Sequence, residues 1–133
     1  MSTSNEDFWP SDLAEDIPNS PKDIMQIQAA KLGEKTKNVV VAEIDTRVAS
    51  NGEFIHKFII RAPALGNYKY ELFTIYHTIA LYPVHDETMW PYENEYLFKE
   101  FLKDKLTADE TVQIVKALIS QSKGRKPEED IPF

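Results

Sequence analysis

Cysteine is absent from the 133 residues, which removes thiol nucleophiles, zinc-cysteine sites and disulfides together and agrees with a reducing compartment. Glycine is scarce: four residues, too few and too scattered for a loop that cradles phosphate. No apolar run approaches the roughly 18 residues of a membrane span, and Met1 to Pro10 lacks the basic and apolar regions of an export signal. A cytoplasmic protein without membrane contact is therefore expected.

Basic charge is also in short supply. Fifteen Lys and Arg stand against 22 Asp and Glu, a net charge of -7. Glu6, Asp7, Asp12, Glu15 and Asp16 place five of those negative charges in the first seventeen residues, which hold no Lys or Arg. The remainder is nearly neutral. A nucleic-acid partner is not expected, because phosphate contacts need clustered Lys or Arg.

What is present is a run of aromatic and β-branched residues over 68–84, which reads as strand and is too long for one strand. A hairpin with its break at His77-Thr78 is the expected solution. Before it, residues 39–48 and 54–62 read as two strands joined through Ser50-Asn51-Gly52, residues that tolerate a tight turn. Residues 68–76 and 79–84 complete three to four antiparallel strands. Ser20-Pro21-x-Asp23 is a helix start, with Ser20 as cap and Pro21 at the first helical position. The apolar residues Ile24, Met25, Ile27, Ala29 and Leu32 then recur at helical spacing. Residues 83–94 read as an irregular crossing, and Glu93 or Asn94 opens a second helix carrying Leu97, Phe98, Phe101 and Leu102. Thr107-x-x-Glu110 reads as the capping box of a third helix, with Val112, Val115 and Leu118 on its apolar face.

The predicted fold is thus α+β: a single antiparallel meander of three to four strands, one helix before it, two after it, all on one face. Residues 1–17 form an acidic flexible leader, 18–124 a single domain and 125–133 a flexible tail. In the leader, Phe8 and Trp9 either fold back onto the domain or dock on a partner, since leaving both in water forfeits burial.

No motif supports catalysis or metal binding, and no catalytic residue, metal ligand or cofactor is predicted. His56 alternates with Phe54 and Phe58 and reads as a hydrogen-bonded core or edge histidine. His77 reads as a turn residue, and His85-Asp86-Glu87 as solvated. Tyr and Trp are enriched at protein interfaces, and they gather in one third of the chain. Strict alternation along 68–77 sends Tyr70 and Tyr76 away from a helix-covered core. With Tyr82, Trp90 and Tyr92, and with Phe8 and Trp9 of the leader, they are the candidate binding residues. The expected function is a non-enzymatic interaction module with a protein partner or self-association, such as a toxin-neutralising immunity protein, a secretion chaperone or a regulatory subunit, in a bacterial setting. The alternative is a small-molecule binder or enzyme using a cleft near His85, Asp86 and Trp90.

Overall fold

Ser20 accepts a hydrogen bond from the Asp23 amide at 3.1 Å and Pro21 occupies the first turn, so α1 (Pro21–Thr36) starts where its cap dictates. The structure, a computed structural model, describes residues 5–124; the tail at 125–133 and the first four residues of the leader lie outside that range. After α1 come β1 (Val41–Val48), β2 (Phe54–Ala62), β3 (Tyr68–His77), β4 (Val84–His85) and β5 (Pro91–Tyr92), then α2 (Glu95–Thr107) and α3 (Asp109–Ser122). The strands pair in chain order as one antiparallel sheet.

Among the described residues five strands replace the expected three or four. Residues 79–83 do not form the predicted return strand: the chain turns with Leu81 N–H donating to Thr78 O at 3.1 Å, and Leu81 takes a φ of 75°. Pro83 has no N–H to give a ladder. Pairing resumes only at Val84, and it is short on both sides of the next turn.

All three helices cover one face. Ile24 and Met25 of α1, Phe98, Phe101 and Leu102 of α2, and Leu118 of α3 pack with Phe58, Ile60, Phe73 and Ile75 of the central strands in one core. Phe73 stacks on Phe58 and meets Phe101 edge-on. Asn94 caps α2 through its side chain, accepting from Leu97 N–H at 2.9 Å. The predicted cap at Thr107 is not used. That residue still belongs to α2, its hydroxyl donates to Lys103 O, and α3 starts at Asp109 with Ala108 before it, which offers no side-chain cap. Thr111 closes the corner instead by donating to Lys105 O at 2.8 Å.

The opposite sheet face corrects a second expectation. A bulge between Phe58 and Ile59 pairs Phe58 with Phe73 but Ile59 with Glu71, so Leu72 is the extra residue. Tyr70 then lies opposite Ile60, on the helix-covered side, while Tyr76 stays opposite Ile55 on the other. The outer face is consequently charged rather than aromatic. Ile59 is 7% exposed there; it lies beside Glu43 and Glu71, between two diagonal ion pairs, Lys57–Glu71 at 3.5 Å and Arg61–Glu43 at 3.1 Å. The aliphatic stems of Lys57 and Arg61 keep water off it.

Candidate functional site

Between β5 and α2 opens a cleft of about 540 Å³. Its walls are Trp90 and Tyr92 on the strand side and Leu97 on the helix side, with Phe101 as floor and Glu100 and Asp104 at the rim. Local chemistry explains why Trp90 stands there. Asp86 opens the turn that joins β4 to β5, and its Oδ1 accepts from Thr88 N–H at 2.8 Å, from Thr88 Oγ1–H at 2.6 Å and from Trp90 N–H at 3.1 Å. Its Oδ2 accepts from the Tyr92 hydroxyl at 3.0 Å. Met89, inside the turn, is driven to a φ of 68°, a left-handed conformation that costs a side-chain-bearing residue about 1 kcal/mol or more. Glu87 ties the same turn to the sheet, accepting from Thr74 N–H at 2.6 Å.

Burial alone would raise the Asp86 carboxyl, but hydrogen bonds from Thr88, Trp90 and Tyr92 together hold it below the usual carboxylate value. Burial, then the hydrogen bond and charge of Asp86 with the charge of Asp104, push the Tyr92 phenol up to about 12. The pair is a carboxylate accepting a hydrogen bond from a phenol. Asp86 is thus fully engaged in building the turn. The outcome is an indole 65% exposed on a backbone that is pinned on both sides.

The candidate binding residues do not converge on one surface. Trp90 and Tyr92 share the cleft; Tyr92 is half-buried, its ring 4.7 Å from that of Phe101. Tyr70 and Tyr76 occupy opposite sheet faces. Tyr82 packs against the core, its hydroxyl donating to Asn19 O at 3.3 Å, and burial followed by the charge of Glu95 pushes its phenol up to about 12. Phe8 and Trp9 are 85% and 73% exposed, so neither ring folds back onto the domain in the single chain. His85 pairs with Tyr76 and Pro91 in the ladder and is not a wall of the cleft. Leu97, Glu100 and Asp104 escaped the sequence reading. Leu97 belongs to an apolar stripe that looks like core throughout, yet Phe98, Phe101 and Leu102 suffice to reach the sheet, leaving Leu97 over.

Among the described residues no group of three or more His, Cys, Asp or Glu could hold a metal ion, and no helix is long and apolar enough to cross a membrane. Comparison with protein-family models, with curated proteins and with solved structures finds no match.

Proposed function

We propose that this protein is a non-enzymatic interaction module whose protein partner docks over Trp90 and the cleft beside it. The observation that carries the reading is the exposure of Trp90 on a turn that Asp86 holds with four hydrogen bonds. A large aromatic side chain whose backbone is already fixed loses little entropy on contact, and such residues dominate binding energy at interfaces. Leu97 and the Phe101 floor supply an apolar wall, and Glu100 and Asp104 a polar rim, the arrangement of an interface core and its edge.

Catalysis has less support in the same cleft. Asp86 is engaged by its own turn, and the remaining carboxylates, Glu100 and Asp104, lie on the exposed side of α2. A partner for a nucleic-acid backbone is disfavoured by the charge balance. An immunity protein, a secretion chaperone and a regulatory subunit are binding roles of this kind, and a bacterial cytoplasmic setting accords with the lack of cysteine.

A photo-crosslinking residue placed at position 90, in the cell that makes the protein, tests the reading by capturing what touches the cleft. With that partner purified, Trp90→Ala is expected to weaken binding by about 2 kcal/mol, roughly thirtyfold in Kd. Unchanged affinity in a folded Trp90→Ala variant would remove the cleft from the interface.

A further inference from the structure

Along α1, on the side facing α2 and α3, two hollows of about 320 and 270 Å³ run into one another, sharing Gln28, Leu106 and Thr107. The first has Ile24 and Leu102 as floor with Lys99 and Lys103 at its edge; the second has Leu32 and Val115 with Lys31 and Lys35. No carboxylate lines either hollow. This is an apolar groove with a basic rim on a chain whose net charge is -7. The same chain carries its complement. Phe8, Trp9, Leu13 and Ile17 are all exposed, interleaved with Glu6, Asp7, Asp12, Glu15 and Asp16.

We propose that the leader of a second copy occupies this groove, so that two copies exchange leaders. Charge complementarity selects the segment: five carboxylates meet four lysines. Geometry selects the other copy rather than the same one. Asn19 is fixed to the body, its side chain donating to Glu95 at 3.3 Å and its carbonyl accepting from Tyr82. Pro18 and Pro21 flank it, and Ser20 is extended at φ -78°, ψ 155°. Two prolines three residues apart stiffen this arm and keep the residues before them extended. In the single chain Phe8, Trp9, Leu13 and Ile17 stay exposed rather than seated in the groove, and an arm held in this way presents them to a neighbour, the condition under which segments are exchanged between copies.

The leader is already shaped for such a site. Leu13 N–H donates to Pro10 O and Glu15 N–H to Asp12 O, so it turns between Pro10 and Pro18 and holds its apolar residues close together along a short length of chain. Phe8 and Trp9 from both leaders bring roughly 800 Å² of aromatic surface. That is a large part of the roughly 1,200 Å² in total that a stable interface needs.

Sedimentation of the full chain from about 1 µM to about 1 mM tests the exchange. A concentration-dependent dimer is expected, weakened several-fold as salt rises from about 0.05 to about 0.5 M. Reversing the leader (Asp12→Lys, Glu15→Lys, Asp16→Lys) or the groove (Lys35→Glu, Lys103→Glu) should each raise the dimer Kd at least tenfold, and combining both sets in one chain should restore it. All five positions are at the surface, so the variants fold. A monomer across the whole range overturns the inference, as does a dimer indifferent to either reversal. A monomer whose Trp9 emission is shielded, read in a Trp90→Phe background, overturns the exchange by placing the leader in its own groove. A dimer lost on Trp90→Ala but kept by both reversals assigns self-association to the other cleft, overturning this inference and leaving the docking reading standing.

Discussion

His56 and His77 meet Nε2 to Nε2 at 2.8 Å on the helix-covered face of the sheet, both nearly inaccessible to water. Their outer partners settle the proton positions. His77 Nδ1 lies 2.7 Å from Thr78 O, which only accepts, so Nδ1 carries the hydrogen. His77 Nε2 is then the acceptor, His56 Nε2–H the donor, and His56 Nδ1 accepts from the Thr46 hydroxyl at 2.9 Å. A single chain of hydrogen bonds crosses β1, β2 and β3, and Phe54 stacks on its end.

That arrangement predicts a pH dependence. Burial, then the charges of His77 and Lys22, lower the His56 pKa from 6.5 to about 4. The unfolded chain therefore binds more protons than the folded one between these values, so the contribution is complete above pH 6.5 and is lost as pH falls through 4. The loss reaches roughly 3 kcal/mol at most. Urea titrations of the protein and of His56→Gln at pH 7 and pH 4 should show their stability difference shrinking by that order. A difference independent of pH would mean that His56 is charged in the fold.

Helix starts give a sharper comparison. Ser20 and Asn94 each accept an amide hydrogen bond, so Ser20→Ala and Asn94→Ala should each cost about 1 kcal/mol. Thr107→Ala should cost less than either, because Thr107 continues α2 and only bonds back to Lys103 O. Equal losses at all three positions in denaturant titrations would restore the sequence expectation of a cap there.

The contrast shows what the sequence could convey. Ser20-Pro21 stands alone before an apolar stripe, and local chemistry decides the outcome. Thr107 offers an equally good pattern, but α2 reaches it first, and Thr111 closes the corner from the other side. The meander, the helix order and the single covered face were legible because period-2 and period-3.6 runs alternate cleanly. The bulge was not. Tyr70 to Tyr76 alternates without a break in sequence, yet the extra residue Leu72 turns Tyr70 to the opposite face, and nothing local to that strand announces it. The cleft was legible in part: Trp90 and Tyr92 stood out as aromatics, whereas the role of Asp86 in presenting them depends on bonds made only after the turn forms.

Asp86 should therefore matter to stability and to the cleft together. Asp86→Ala removes four hydrogen bonds to one carboxylate and should destabilise by about 2 kcal/mol, since bonds to a charged acceptor on an accessible turn are worth about that. In a Trp9→Phe background the remaining indole should also lose emission anisotropy. Unaltered anisotropy would show that Trp90 is held by something else.

Met89 makes the opposite forecast in the same turn. Its φ of 68° suits Asn better than Met, so Met89→Asn should raise stability by roughly 0.5 to 1 kcal/mol. Denaturation midpoints measure it directly, and a loss in place of a gain would reject the left-handed turn.

Phe101 joins the core to the cleft, which makes it the most informative single position. It packs edge-on against Phe73 at 5.6 Å between ring centres, lies 4.7 Å from Tyr92 and stacks near Phe98, while its exposed edge is the cleft floor. Phe101→Ala should cost about 3 to 5 kcal/mol, the range for emptying a buried aromatic site. Phe101→Leu keeps most of the volume and should cost clearly less, while withdrawing the ring that supports Tyr92. If the cleft is the docking surface, the leucine variant remains folded and still loses partner affinity, because Tyr92 and the Asp86 turn above it lose their support. A leucine variant with native affinity would separate the cleft floor from binding, and an alanine variant of native stability would overturn the packing of α2 against β3.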